Sequence, residues 1–295
     1  MPNSTDEALL RLEIFAELEM LADSKGGLLA TSDLREFWIR GFRLPLIDTR
    51  RGIRNPTVFS STLSIVSAAD GPYEDRVGSD GLLLYKFRTG DPLGGDNRKL
   101  RNAMTSNTPI ILFEKPVAGV YVPVVPVYVI GEDLVAGHFV LDTSGSITSP
   151  LTEPRDTAID KRYVEQTVRR RVHQPVFRAK VLVAYSSECA ICQLKHPELL
   201  DAAHIIGDSH IDGVAHVTNG MALCKIHHAA YDRNLIGVSP DYKVHVNGLL
   251  LQEVDGPMLR HGIQDMHGLS ISVPKRFSER PSPELLSTRF ADFIP

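Results

Sequence analysis

Two short pairs of metal-capable residues constrain the fold of this chain more than any other feature of its sequence. Cys189 and Cys192 form a C-x-x-C pair, and Cys224 and His227 form a C-x-x-H pair. Three thiolates and one imidazole, arranged as two tight pairs, match the closed tetrahedral donor set of a structural Zn²⁺ site. The sequence therefore predicts that zinc holds this segment together.

Two other interpretations of Cys189 and Cys192 stay open at this point. A thioredoxin-type redox pair would begin a helix that follows a parallel strand, a pattern that the surrounding sequence does not offer. Buried free cysteines would leave the second pair without a purpose. The chain has 3 cysteines, all in this segment, which speaks against a secreted disulfide framework.

A second set of metal-capable side chains lies between and beyond the two pairs. The run LLDAAHII is apolar and strand-like and carries His204, while MALCKIHHAAYD begins a helix. On that helix His228 and Asp232 are four residues apart, so they share one face and can hold one hard cation. Asn219 lies in the loop before the helix, where its amide can orient an imidazole. The pattern predicts two strands and a helix around a second metal site.

The order AAHII, TNGMALC, KIHHAAYD resembles the HNH nuclease family, over roughly residues 189–246. The resemblance implies a ββα-metal fold that a zinc knuckle stabilises. By the same resemblance, His204 is the general base that deprotonates the attacking water, Asn219 braces that base, and His228 binds Mg²⁺ or another divalent cation. Asp232 lies where many members have a second ligand. Products with 5′-phosphate and 3′-hydroxyl ends are also implied.

One position departs from the family pattern. Many members have Asp or His directly before the base, as a metal ligand, and this chain has Ala203. Either Asp201 takes that role, or His228 and Asp232 hold the cation with water and the scissile phosphate. Regular strand alternation places Asp201 on the face opposite His204, so we rank Asp201 below Asp232 as a ligand.

The first half of the chain shows a different pattern. Helical spacing in TDEALLRLEIFAELEMLA predicts one helix, and SDLREFWIRGF predicts a second, from Ser32 to Gly41. Residues 51–142 then carry short β-rich runs separated by Gly, Pro, Asp and Asn, with DNRKLRNAM as a helical insertion. These runs predict a mostly antiparallel barrel or sandwich. The run DTSGSITSPLTEPRD predicts a linker.

The run LSIVSAADGPYEDRVGSDGLLLYKF resembles the SRA domain, a PUA-like β-barrel that flips a modified cytosine out of the duplex. The resemblance implies that Tyr73 and Tyr85 stack on the flipped base and that Asp75 or Glu74 accepts its amino protons. The usual acid, three residues beyond the first tyrosine, is here Arg76, so Asp75 is our choice. Packing of both tyrosines in the barrel core is the alternative.

Charge and hydropathy narrow the classes of partner. The formal net charge is -4, yet the stretch from Lys161 to Lys180 is strongly basic, which favours local contacts with phosphates. A solvated helix face is the alternative interpretation of this stretch. We expect the backbone contacts from Lys161, Arg169, Arg170, Arg171 and Arg178. No apolar run reaches the ~20 residues of a membrane span, and no signal peptide is visible. We therefore expect a cytoplasmic, bacterial protein with no membrane partner.

Together these features predict an α+β chain. We expect a helical region at 1–48, an SRA-like reading domain at 49–145, a linker at 146–160 and an HNH domain with a basic lead-in helix at 161–295. The predicted function is a type IV-like restriction endonuclease acting on double-stranded DNA with 5-methylcytosine or 5-hydroxymethylcytosine, working as a homodimer. The alternatives are an HNH nuclease that senses another modification or a sequence, and a modified-DNA reader that does not cut.

Overall fold

The computed structural model describes residues 4–48, 50–68, 76–77, 83–143, 174–207 and 214–293. The chain divides into two compact units, Met1–Val176 and Phe177–Pro295. A search of the described helices finds none with the length and apolarity that a bilayer crossing requires.

The first unit combines a mixed sheet with three described helices. The helices are α1 (Ser4–Ser24), α2 (Thr31–Arg35) and α3 (Gly95–Thr105). The strands are β1 (Leu29–Ala30), β2 (Trp38–Ile39), β3 (Phe42–Arg43), β4 (Ile53–Arg54), β5 (Ser64–Ala68), β6 (Arg76–Val77), β7 (Leu83–Lys86), β8 (Ile110–Val117), β9 (Val120–Asp133) and β10 (His138–Asp142).

Eight of these strands form one curled sheet. Its order is β4-β5-β8-β9-β10-β7-β6, and β1 also pairs with β9. The pairing of β5 with β8 is parallel, and the other described neighbours are antiparallel. The mostly antiparallel arrangement confirms that prediction. Among the described strands β4 and β6 end the sheet without pairing to each other, so a closed SRA-type barrel is not confirmed.

Both faces of this sheet are covered, and strand β8 shows how. Ile111 and Phe113 belong to a core cluster with residues of α1 and α2. Ile110 and Leu112 point to the opposite face and join a second cluster with residues of α3, β7 and β10. Because successive side chains of a strand point to opposite faces, a strand buried on both sides is apolar almost throughout, as the run PIILFEK is.

A buried arginine ties α1 to the sheet. Arg11 is 1% exposed, and its guanidinium donates to the carbonyl oxygens of Thr62 at 3.0 Å, Ser61 at 3.1 Å and Pro109 at 3.2 Å. Glu7, one turn earlier on the helix, lies 3.2 Å from the same guanidinium. Burial lowers the pKa of Arg11 from its ordinary value. These contacts of the two terminal nitrogens stabilise the helix against the sheet, because hydrogen bonds offset the cost of burying a charge. The buried Nε of Arg11 has no hydrogen-bond partner among the described residues.

The predicted second helix from Ser32 to Gly41 is wrong beyond its first turn. Helix α2 ends at Arg35, and β2 and β3 form a hairpin in which Trp38 pairs with Arg43. At the turn Arg40 has φ 48° and Gly41 has φ 77°. A two-residue turn with positive φ at both positions matches the twist of a hairpin, and the aromatic and β-branched residues beside it favour strand.

The second unit carries the cysteine and histidine segment. Its helices are α4 (Gln174–Ala184), α5 (Lys225–Asp232), α6 (Gly248–Gln252), α7 (Pro257–Gly262) and α8 (Pro283–Ala291). Its strands are β11 (Leu200–His204), β12 (Gly220–Cys224), β13 (Ile236–Val238) and β14 (Val244–Val246). β11 pairs with β12 and β13 with β14, both antiparallel. The terminal helix α8 has Ser282 as its N-cap, whose hydroxyl oxygen accepts from the N–H of Leu285 at 3.3 Å.

Several predictions fall outside the described residues. They concern the linker, three of the four residues of the predicted base pocket, and all the predicted DNA-backbone contacts except Arg178. These are residues 146–160, Tyr73, Glu74, Asp75, Lys161, Arg169, Arg170 and Arg171.

Candidate active site and metal centre

The two cysteine-containing pairs meet in the folded second unit. The ligand atoms of Cys189, Cys192, Cys224 and His227 all lie within 4.8 Å of one another, and within the described part of the chain no other group of three or more His, Cys, Asp or Glu side chains meets this criterion. Nδ1 of His227 is 3.6 Å from Sγ of Cys189 and 3.2 Å from Sγ of Cys224. Sγ of Cys192 is 4.0 Å from that of Cys224.

These separations fit a tetrahedral zinc site. Bonds of ~2.3 Å to sulfur and ~2.0 Å to nitrogen imply tetrahedron edges of roughly 3.5 to 3.8 Å. Cys189 comes from the turn before β11, whereas Cys224 and His227 lie at the end of β12 and the start of α5. The donor set thus joins the first turn of the segment to its helix, and it is compatible with zinc.

The tetrad's own hydrogen bonds shift its thiols in opposite directions, since the contacts with Cys189 and Cys224 raise the pKa of Cys192 while that of Cys189 is lowered. Nε2 of His227 lies 2.7 Å from the carbonyl oxygen of Gly262, so Nε2 carries the proton and Nδ1 faces the sulfurs. Hydrogen bonds from the thiols of Cys192 and Cys224 hold the pKa of Cys189 well below its ordinary value. Burial opposes the charged form of His227, but the sulfurs of Cys189 and Cys224 outweigh it and raise the pKa of His227 to about 10.

Strands β11 and β12 with helix α5 form the predicted ββα arrangement. His204 is the last residue of β11 and pairs with Gly220, the first residue of β12. Ala203, before it, is fully buried. The alanine thus supplies no ligand atom, and Asp201, two residues earlier on the same strand, is the carboxylate of β11 that approaches His228.

Asn219 fixes the chain just after His204. Its side chain is buried, and its Oδ1 accepts from the N–H of Ile206 at 2.9 Å. Its Nδ2 donates to the carbonyl oxygens of Ile206 at 3.0 Å and Val214 at 3.1 Å. The backbone N–H of Ile205 donates to the carbonyl oxygen of Asn219 at 3.0 Å. Asn219 thus holds the backbone that follows His204. The prediction from the sequence was that Asn219 braces the imidazole of His204 itself.

The ring of His204 stacks on Phe177. The two ring centroids are 4.1 Å apart with an angle of 19° between the planes. Phe177 lies on α4 and is buried, whereas His204 is half-buried. No sequence signal points to Phe177, since nothing in the local pattern of a helix shows which strand residue it will contact.

His228 lies between two carboxylates. Its Nδ1 is 3.5 Å from Oδ2 of Asp201, and its Nε2 is 3.4 Å from Oδ2 of Asp232. Asp232 is on the same helix one turn later, and Asp201 is on β11. The sequence predicted the helix pair. Strand alternation ranks Asp201 below Asp232 as a ligand, because alternation relates Asp201 only to His204. It does not indicate which strand residues the packed helix contacts.

Arg178 points toward the strand. Its guanidinium donates to the carbonyl oxygens of Pro197 and Leu200, each at 2.7 Å, and its Nε lies 3.8 Å from Oδ1 of Asp201. Burial lowers the pKa of Arg178, and Asp201 opposes this. These donors serve the protein's own backbone, and a part for Arg178 in DNA binding stays a prediction.

In the first unit, the described member of the predicted base pocket is Tyr85. It lies on β7 in the second core cluster of the sheet and is 8% exposed. Its hydroxyl donates to the carbonyl oxygen of Gly52 at 3.4 Å. At the start of helix α3, Oδ1 of Asp96 accepts from Nδ2 of Asn55 at 2.7 Å, and Oδ1 of Asn97 accepts from the backbone N–H of Arg88 at 2.9 Å. The stacking role of Tyr85 stays a prediction.

Comparison with known proteins identifies the class of the second unit. Residues 189–239 match the HNH endonuclease family. A search of curated proteins finds no match to this chain. One similar solved structure is the modification-dependent restriction endonuclease TagI, with 15% identity and a TM-score of 0.32 over 84% of this chain and 87% of that chain.

A second solved structure is the type IV phosphorothioation-dependent restriction endonuclease ScoMcrA, with 15% identity and a TM-score of 0.23 over 62% of this chain. This chain spans about half of its length, 48%. The matched residues 189–239 contain both metal-capable sets, His204 and Asn219. The chain therefore carries an HNH endonuclease domain and is a metal-dependent DNA endonuclease.

Proposed function

We propose that this protein is a modification-dependent restriction endonuclease in which the second unit hydrolyses DNA and the first unit reads a modified cytosine. The observation that carries the hydrolytic half is the placement of His228 between Asp201 and Asp232, on the helix that follows the strand pair bearing His204. A carboxylate–imidazole–carboxylate set, together with the imidazole of His204 on strand β11, supplies the types of group that phosphodiester hydrolysis requires.

His204 is the general base in this proposal. An imidazole takes up a proton near neutral pH, so His204 can remove a proton from a water positioned beside a DNA phosphate. Asn219 holds the backbone directly after it through both atoms of its amide. The imidazole is thus carried at the end of a short, fixed strand, which limits how far it can drift from the reacting atoms.

His228 and Asp232 would hold the catalytic cation. When bound, Mg²⁺ or a similar ion stabilises negative charge on the phosphate oxygens during displacement. A histidine that ligates a metal usually gives its other N–H to a carboxylate. We therefore assign Asp201 to orient His228 through Nδ1 and Asp232, which is more exposed, to ligate the ion beside Nε2. Asp201 as the ligand is the alternative.

The zinc tetrad has a structural part in this proposal. Four protein donors close the coordination shell, which leaves no position for water or substrate. Because the ββα segment is short, its own apolar core is small, and the metal supplies the cross-link between the turn at Cys189 and helix α5. The two metal-capable sets of the sequence therefore have different tasks: one holds the scaffold and one cuts.

The reading half of the proposal depends on the resemblance of residues 63–87 to SRA domains. Tyr73 and Tyr85 would stack on a flipped 5-methylcytosine or 5-hydroxymethylcytosine, and Asp75 or Glu74 would bind its amino group. Flipping costs a few kcal/mol, and stacking returns ~1–3 kcal/mol per base. The basic stretch with Lys161, Arg169, Arg170 and Arg171 would supply backbone contacts that cover the difference.

The assembly and setting follow from the same proposal. A site that cuts one strand must be used twice to cleave a duplex, so we propose a homodimer with one HNH site in each chain. The products carry 5′-phosphate and 3′-hydroxyl ends. A restriction enzyme of this kind works on foreign DNA in a bacterial cytoplasm.

The proposal is tested by digesting matched duplexes that contain cytosine, 5-methylcytosine or 5-hydroxymethylcytosine with Mg²⁺ or Mn²⁺. We expect cleavage of modified DNA to exceed that of unmodified DNA. Tyr73→Ala should reduce this preference without weakening metal binding, because one stacking face is lost. Equal cleavage of all three duplexes by the wild-type protein would replace modified cytosine with another signal. An unchanged preference in Tyr73→Ala would assign that tyrosine to the core.

A further inference from the structure

We propose that Phe177 is a positioning residue that sets the orientation of the His204 imidazole for proton abstraction. This inference rests on the proposed function, since it gives His204 a reason to be oriented. Three observations carry it: the ring stack itself, the close approach of helix α4 to the strand pair, and the division of labour with Asn219.

The stack places a flat apolar surface against one face of the imidazole. The phenyl ring of Phe177 covers one face of the His204 imidazole, with ring centroids 4.1 Å apart and planes 19° from parallel. The two nitrogens lie at the edge of the imidazole, in the plane of its own ring. Rotation of the imidazole out of this plane would open a gap or a clash, because Phe177 is itself 3% exposed and held in the core. The stack therefore restricts the direction in which the nitrogens point.

Helix α4 reaches this position because the residue opposite His204 is a glycine. A Cβ atom on Gly220 would lie 2.6 Å from Cγ2 of Val181 and 2.8 Å from Cζ of Phe177. Any larger side chain would push the helix away from the strands. The position that pairs with the histidine is thus the position that admits the phenyl ring.

The same helix is fixed at the other end of β11. Arg178, next to Phe177, donates to the carbonyl oxygens of Pro197 and Leu200. Two adjacent residues of α4 therefore contact the two ends of the strand. Asn219 holds the backbone after His204, and Phe177 holds its ring. Backbone and side chain of the base are positioned by different elements.

The test compares Phe177→Leu with the conservative variant Phe177→Tyr and the matched control Phe290→Leu. Phe290 faces another imidazole of the same unit, His245, at a centroid distance of 4.9 Å, and has no place in the proposed site. Each protein would cleave supercoiled plasmid carrying 5-methylcytosine with Mn²⁺. Ring protons of His204 would be observed by NMR, since a phenyl face over an imidazole shifts them upfield.

We expect Phe177→Leu to lower kcat roughly 10- to 100-fold, the loss typical of a misplaced catalytic group, with KM for DNA unchanged within about threefold. The His204 ring protons should move downfield in Phe177→Leu, and Phe177→Tyr should restore both the rate and the shift. Phe290→Leu should cleave like the wild type. If Phe177→Leu does not fold, Phe177→Met fills the site with a flexible ring-free side chain and gives the same comparison.

Two failures are distinguishable. Equal cleavage by wild type and His204→Ala would overturn the proposed function, whatever the NMR shifts show. With His204→Ala inactive, a ring-free variant that cleaves like Phe290→Leu, or His204 protons that do not move, would overturn the role of Phe177 alone.

Discussion

At the residue scale, the surroundings of His228 decide how the second unit can bind a cation. One ring nitrogen faces Asp201 and the other faces Asp232. A ligand on each side cannot serve one ion, because the two nitrogens point in different directions. One carboxylate must therefore orient the ring while the other shares the metal. Arg178 lies 3.8 Å from Asp201 and supplies it with a counter-charge, whereas Asp232 is exposed to solvent and substrate.

Exchange of each carboxylate for an amide separates these roles. Asp201→Asn keeps an oxygen that accepts from Nδ1, so we expect a small rise in the Mn²⁺ concentration that gives half-maximal cleavage. Asp232→Asn loses a charged ligand, and we expect a rise of roughly 10- to 100-fold. Metal titration of the cleavage rate measures both, with Asp265→Asn, an exposed carboxylate beside His261, as the control. A larger effect of Asp201→Asn would exchange the two assignments.

What the sequence predicted at this scale depended on spacing. Each half of the tetrad and the His228–Asp232 pair come from positions three or four apart, where local geometry brings side chains together. Phe177 and Gly262 contact His204 and His227 from far along the chain. No periodicity links such residues, because their contacts exist only after the helices pack on the strands.

At the element scale, most helices and strands of the first unit followed from alternation and from Gly and Pro between the runs. The hairpin of β2 and β3 was the exception. Its sequence WIRGFR continues the polar–apolar spacing of α2, so a helical interpretation was natural. Instead the chain reverses at Arg40 and Gly41, which both have positive φ. Two such residues form a tight hairpin turn, and a weak helical period does not prevent it.

The approach of α4 to the strand pair gives a prediction at this scale. Gly220→Ala should lower the free energy of unfolding of the second unit by ~1–3 kcal/mol, because its Cβ would lie inside contact distance of Val181 and Phe177. Denaturant unfolding measures this. Gly256→Ala is the matched control, since nothing lies within 4 Å of a Cβ there. Equal stabilities would mean that α4 does not pack on Gly220 as described.

At the scale of the whole molecule, the two units are stabilised in different ways. The first unit has a sheet with both faces covered by apolar clusters. The second unit distributes its core over short elements and brings three cysteines and a histidine together. Structural zinc contributes ~10–16 kcal/mol in small zinc-binding peptides, whereas a whole domain is stable by ~5–15 kcal/mol. Loss of the metal is therefore large enough to unfold the second unit.

A chelator strong enough to remove zinc should abolish the thermal transition of the second unit and leave that of the first unit unchanged. Calorimetry with and without the chelator measures this, and added Zn²⁺ but not Mg²⁺ should restore the lost transition. Cys192→Ser should weaken the same transition, because one donor of four is lost. Unaltered melting after complete zinc removal would contradict a structural role for the tetrad.

The chemistry of the second unit is tested most directly by the cleavage rate of His204→Ala. A general base contributes ~10²–10⁴-fold to a rate, so the variant should lose at least that much cleavage of modified DNA with Mg²⁺ or Mn²⁺, while its melting temperature and its affinity for the same DNA stay those of the wild type. Nicking by the variant at the wild-type rate would contradict the account, since the imidazole at the end of β11 would then have no part in breaking the backbone.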